Sequence, residues 1–205
     1  MVLTHRDRQF RKKEVFTIPN KKTVALTSEQ YHEIVTTMKN GFSGCRPNDR
    51  VTTALVLEAN LGLRISDILD LKLSDIIRDG GRYRLNIIEQ KTRKQRMFTV
   101  PNEIYSYIQN YCYVNSIKPH EIIFPITERQ VQKQLKLVCD YLGYNGISTH
   151  SFRKFFATQI YINNDYNIIL VQQLLQHSTP AVSQKYIGIE PRAIEQALEK
   201  HICLI

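Results

Sequence analysis

The sequence predicts an α+β domain that is mostly α-helical and carries one small antiparallel β-sheet. From Leu26 onward most of the chain reads as helices bounded by cap and breaker residues. One central stretch departs from that pattern, with two strand-like runs on either side of a charged turn. At 205 residues, with no internal repeat or low-complexity tract, the chain is most simply a single domain with decorations.

Taken in order, residues 1–25 read as a basic N-terminal arm or the remnant of a linker. Arg6, Arg8, Arg11, Lys12, Lys13, Lys21 and Lys22 stand there against only Asp7 and Glu14, with little apolar periodicity. The folded domain is expected over 26–205. Thr27 can cap the first helix, and Gln30, three residues on, can close a capping box. "GFSGCRPND" breaks that helix. "RVTTALVLEANLGLRISDILDLKL" then reads as a buried helix, a turn and a short helix, with Gly62 where a C-cap glycine is needed. The runs 83–88 and 96–100 flank "EQKTRKQ" as a hairpin, and Pro101 ends it and opens a helix over 102–115. From Thr127 the chain is helical again, broken at "GYNGIST", "NNDYN" and "HSTP".

Composition narrows the function. Lys and Arg number 28 against 19 Asp and Glu, a net charge of +9, which favours a polyanionic partner: nucleic acid first, an anionic membrane surface second. No apolar run approaches the roughly 18 residues of a membrane span, and the N-terminal stretch lacks the apolar core of a secretory signal. The scattered cysteines (Cys45, Cys112, Cys139, Cys203) form no Cys-x-x-Cys pair, so neither a zinc site nor a disulfide framework is expected. A reducing cytoplasm is the expected location, and neither metal nor cofactor is expected.

Several side chains could carry phosphate chemistry. "HSFRK" sets His150 and Arg153 three apart, on one face of a helix near its N-terminus. An arginine can hold two phosphate oxygens while a histidine exchanges a proton near neutral pH. Arg64 lies between Leu63 and Ile65, where a guanidinium needs an anion; it either pairs with Asp67 or points at a ligand, and the residues alone leave both open. "EQKTRKQR" gathers Lys91, Arg93, Lys94 and Arg96 on one turn, either a solvated tip or a contact for DNA. His177 follows an apolar helix, and Tyr186 is one of 11 tyrosines, so its type alone says nothing.

The order of these residues carries more than any one of them. "NLGLRISDIL", "THSFRKFFAT" and "LLQHSTPAVSQKYIGI" resemble, in sequence, the arginine box, the His-x-x-Arg box and the final His-to-Tyr box of the tyrosine recombinases, the phage integrase family. The resemblance runs from about Leu26 to the C-terminus. It implies a tyrosine-recombinase-like catalytic domain and a site-specific recombinase of integrase, excisionase or invertase type. Tyr186 would attack a phosphodiester to give a 3′-phosphotyrosine, while Arg64, Arg153 and His177 stabilise the transition state. His150 would help deprotonate Tyr186, and Lys91, with Lys94 as competitor, would protonate the leaving 5′-oxygen. DNA contacts are expected at Arg93, Lys94, Arg96 and Lys154. "STPAVSQK" would be a short helix or a tether for Tyr186.

The implied partners are double-stranded DNA, a tetramer of the chain on DNA, and accessory DNA-bending proteins, in a bacterial, phage or other mobile-element setting. Ile194, Leu198 and Ile202 in "RAIEQALEKHICLI" form a stripe that could dock on a neighbouring protomer or on its own domain. The arm is too short to be the N-terminal clamp domain of most family members. Two other readings share this chemistry or scaffold: a type IB topoisomerase that relaxes DNA, and a non-catalytic DNA-binding protein.

Overall fold

The structure, a computed structural model, describes residues 23–188. The basic arm up to residue 22 and the stripe Ile194, Leu198 and Ile202 lie outside those residues.

Chain order is α1 (Ser28–Asn40), α2 (Asp49–Leu61), α3 (Ile65–Leu69), a 3₁₀ turn (Leu73–Asp75), then β1 (Ile76–Asp79), β2 (Arg82–Ile88) and β3 (Gln95–Val100). It continues with α4 (Asn102–Val114), α5 (Glu128–Leu142), α6 (Thr149–Asn163), α7 (Ile168–Leu175) and α8 (Pro180–Ile187). The expected capping box forms at α1, where Thr27 Oγ1 accepts from Gln30 N–H and Gln30 Oε1 accepts from Thr27 N–H. Thr127 and Gln130 repeat it at α5.

The sheet has three antiparallel strands in the order β1-β2-β3, one more than the sequence reading expects. The extra strand is β1, joined to β2 through Gly80 and Gly81 with Asp79 opposite Arg82. Both glycines have positive φ, +55° and +87°, as a two-residue hairpin turn of the right twist requires.

Helix α2 is the centre of the main core. Ala54, Leu55, Leu57 and Leu61 are almost fully buried, together with Ile34 of α1, Val131 and Leu135 of α5, and Phe152 of α6. Gly62 ends α2 in the left-handed region at φ +59°, and a Cβ there would lie 2.3 Å from the Phe156 ring. The missing side chain thus lets α2 and α6 close together. A second, smaller cluster joins α6, α7 and α8: Ala157, Val171 and Leu175 are buried, and Phe156, Ile160, Ile168, Tyr186 and Ile187 pack on them.

Candidate active site

Arg64 is the residue before α3, in extended backbone at φ −74°, ψ 151°, so its side chain leaves the helix start beside the hairpin. Its Nη1 donates to Glu89 Oε2 at 2.7 Å. The local Arg64–Asp67 pair considered above is therefore not the ion pair that forms. Asp67 instead accepts the Gln90 N–H at 2.9 Å, tying α3 to the base of the hairpin.

Arg153 comes from the start of the second turn of α6 and is 3% exposed. Its Nη1 donates to the Gly62 carbonyl at 2.6 Å and its Nη2 to the Leu175 carbonyl at 3.4 Å. Burial lowers its pKa, and the nearby Arg64 charge acts in the same direction, whereas Tyr186 opposes them. His150, one turn earlier on α6, is exposed, yet desolvation followed by the charges of Arg153 and Lys91 holds its pKa below the ordinary value.

His177 follows Gln176, whose left-handed backbone (φ 56°) ends α7. Its Nδ1 lies 2.9 Å from Ser183 Oγ. Partial burial, then Arg153, Arg64 and Arg96, lower its pKa as well. Tyr186 sits within α8, capped by Thr179 and with Pro180 in the first turn, so "STPAVSQK" is helical from its proline onward, with only Ser178 and Thr179 outside the helix. Its ring meets His177 edge-on at 5.2 Å between centroids. Burial raises the phenol's pKa, and the Arg153 and Arg64 guanidiniums oppose that rise by favouring the phenolate.

The fold gathers these groups around the two arginines: His150, His177 and Tyr186 each feel the charges of Arg153 and Arg64, and Lys91 reaches His150. Arg64, Arg153, His177 and Tyr186 are linked most directly. Lys91, Arg93 and Lys94 are exposed on the hairpin turn, with Arg93 at φ 56°. Arg96, expected among the DNA contacts, is turned into the core instead. It is 2% exposed, paired with Glu89 Oε1 at 3.2 Å, and its pKa is lowered to about 10, chiefly by burial. Strand parity explains the correction: Arg96, Phe98 and Val100 alternate toward the core along β3, as Leu85, Ile87 and Glu89 do along and just beyond β2. Lys154 also turns inward; its Nζ donates to the Thr23 carbonyl at 2.6 Å and lies 5.5 Å from the Tyr186 ring centroid.

Sequence reasoning missed Glu89 and Ser183. The signal for Glu89 was the same parity: a carboxylate at an inward position, where it needs buried cations. Ser183 carried no comparable signal. Among the described residues, no group of three or more His, Cys, Asp and Glu side chains is placed to hold a metal ion, and no helix is long and apolar enough to cross a membrane.

The phage integrase family model matches residues 25–192. The chain belongs to the phage integrase family. Within it, the chain is 31% identical over 150 residues to the probable integrase/recombinase YoeC of Bacillus subtilis (strain 168), covering 70% of this chain and 80% of that protein. A probable integrase/recombinase of Acholeplasma phage L2 is 29% identical over 175 residues, covering 81% of this chain and 60% of that protein. The chain thus spans four-fifths of one relative and less than two-thirds of the other.

The fold agrees. The catalytic domain of bacteriophage HP1 integrase superposes with a TM-score of 0.62 at 18% identity, covering 88% of this chain and 96% of that one. XerH site-specific recombinase bound to palindromic difH substrate gives 0.64 at 20% identity, covering 85% of this chain and 52% of that one.

Proposed function

We propose that this protein is a site-specific DNA recombinase that cuts and rejoins double-stranded DNA through a 3′-phosphotyrosine on Tyr186. One observation carries the reading: the Tyr186 phenol, the His177 ring and the Arg64 and Arg153 guanidiniums converge on one place. The phenol oxygen attacks phosphorus, the P–O5′ bond breaks, and the bond energy is kept in the phosphotyrosine for rejoining. Arg64 and Arg153 neutralise the negative charge that builds on the non-bridging oxygens. A Ser183 hydroxyl donating to Nδ1 leaves His177 with Nε2–H to offer a phosphate oxygen. His150, held neutral at pH 7, takes the Tyr186 proton, and Lys91 gives a proton to the 5′-oxygen.

Residues 26–205 form the catalytic domain in this reading, and residues 1–25 lie along phosphates together with Lys91, Arg93 and Lys94. Strand exchange requires several protomers; a tetramer on DNA is proposed, and the similar fold of a lambda integrase tetramer bound to a Holliday junction supports it. Accessory DNA-bending proteins belong to the same proposal, as does the cytoplasm of a bacterium or its mobile elements. Relatives from Bacillus subtilis and Acholeplasma phage L2 support that setting.

The test is covalent trapping on nicked duplex built from DNA flanking the gene, without metal. Wild type should give an adduct that survives denaturing electrophoresis, and Tyr186→Phe should bind the same duplex and give none. An adduct that persists in Tyr186→Phe would remove Tyr186 as the nucleophile.

A further inference from the structure

One buried ionic group is left without a role by this chemistry. Glu89 follows β2 directly, is fully buried, and divides its oxygens between two arginines. Oε2 accepts from Arg64 Nη1 and from Thr92 Oγ1, both at 2.7 Å, and Oε1 accepts from Arg96 Nη1 at 3.2 Å. Arg96 in turn donates to the Leu174 carbonyl near the end of α7. The Glu89 main chain closes the turn that holds Lys91: its N–H donates to the Lys94 carbonyl at 3.0 Å, and its carbonyl accepts from Arg93 N–H at 2.9 Å.

Burying a carboxylate between guanidiniums has a large desolvation cost, and apolar side chains of similar volume commonly hold a fold as well or better. The arrangement therefore asks for a reason beyond stability. A guanidinium gripped at one nitrogen keeps its plane and leaves its other donors free for a ligand. Burial pushes the Glu89 carboxyl up, but the Thr92 hydroxyl and the Arg64 and Arg96 guanidiniums outweigh that and hold it below its ordinary value. It is charged at neutral pH. With Arg64, Arg96 and Arg153 in mutual range, a single such carboxylate orients cations without cancelling the positive field that draws in a phosphate.

We infer that Glu89 is a positioning residue for strand cleavage. It sets the plane of Arg64 against the target phosphate and, through Arg96 and its own backbone, holds the Lys91 turn against the end of α7 that leads to His177. The inference rests on the recombinase reading, and its test separates the two.

Glu89→Gln keeps the volume and removes the charge. Adduct formation is measured in single turnover on two nicked duplexes, one with a phosphodiester at the scissile position and one with a neutral methylphosphonate. If Glu89 acts through Arg64, the variant slows about 10²-fold on the phosphodiester and stays within about threefold of wild type on the methylphosphonate, which has little charge for Arg64 to meet. Equal slowing on both substrates would overturn the inference. A second readout needs no DNA: the Arg64 guanidinium NMR signal, assigned with Arg64→Lys, should show hindered rotation in wild type and averaging in Glu89→Gln. An Arg64 equally restrained in both would also overturn it. If Glu89→Gln does not fold, Glu89→Met with Arg96→Met removes both buried charges and is read in the same two ways. A wild type that forms no adduct while its Arg64 signal behaves as expected would sink the recombinase reading and leave the clasp standing.

Discussion

Arg153 reaches the site from a helix sunk in the main core and donates to two main-chain carbonyls, whereas Tyr186 reaches it from an eight-residue helix resting on a small separate cluster. The first group has its geometry fixed from several directions at once. The second depends on few buried apolar neighbours, chiefly Ala157, Val171 and Leu175. Groups that stabilise charge work best when they need not reorganise as the charge develops. A nucleophile that must act once per assembled complex can sit on a short helix whose undocking gives up little buried surface. In the proposed mechanism, the division is one of firmly anchored charge and lightly held nucleophile.

The sharpest way to break that comparison is to disturb the fixed half without removing its charge. Arg153→Lys keeps a cation but cannot reach both the Gly62 and Leu175 carbonyls and still present a planar fork to phosphate. Adduct formation should fall by about 10²- to 10³-fold with duplex binding changed little. A loss under tenfold would mean that a point charge suffices and that the fixed geometry has little to do with the chemistry.

A next, structural test uses two glycines. Gly62 and Gly143 both cap helices at positive φ, +59° and +75°, but a Cβ at Gly62 would strike Phe156 while one at Gly143 meets nothing within 4 Å. Gly143→Ala should cost about 1–2 kcal/mol for the left-handed backbone alone. Gly62→Ala should cost about 1–3 kcal/mol more, because α2 and α6 must part. Thermal or urea unfolding of the two variants reads the difference, and equal losses would show that the close approach contributes nothing.

These tests bear on what could be read from sequence. The helices were legible because their ends are chemically marked: Thr27 with Gln30, Gly62, and Pro101 each do locally what their types suggest. Strand β1 was not, because Ile76–Asp79 is four residues long and the Gly80–Gly81 turn had to be recognised as a hairpin before its first arm could be. Arg64, His150, Arg153, His177 and Tyr186 could be picked out by motif order. Their anchoring could not, since Arg64 finds its anion 25 residues away at Glu89 while Asp67, the nearest carboxylate in sequence, serves the backbone of Gln90. Arg96 was grouped with the turn cations although the alternation of β3 already turned it inward.

A smaller effect sharpens the role of the exposed histidine. The His150 pKa lies below its ordinary value of 6.5 because of desolvation, Arg153 and Lys91, so in the folded protein the ring stays neutral to lower pH than a free histidine. The sign follows: if neutral His150 accepts the Tyr186 proton, cleavage holds steady as pH falls through 6.5 and then drops about tenfold per unit below the folded pKa. The acid limb should vanish in His150→Gln and persist in His177→Asn. Lys91→Ala, by removing one positive neighbour, should shift the limb to higher pH. A limb unmoved by His150→Gln would pass the proton to another group.

The smallest effect belongs to the hairpin tip, where Lys94 and Arg93 are exposed and the Lys94 main chain already serves Glu89. If Lys94 is only a phosphate contact, Lys94→Ala should weaken duplex binding uniformly across sequences and lower the slope of log affinity against log salt by about 0.9. Its cleavage rate at saturating protein should not change. Lys91→Ala should differ in kind: cleavage is slow on a normal duplex and recovers on one with a sulfur at the 5′-bridging position, a leaving group that needs no proton. If Lys94→Ala shows that recovery instead, the acid sits at the outer end of the turn, and the backbone bond that fastens Lys94 to Glu89 becomes the tie that aims it.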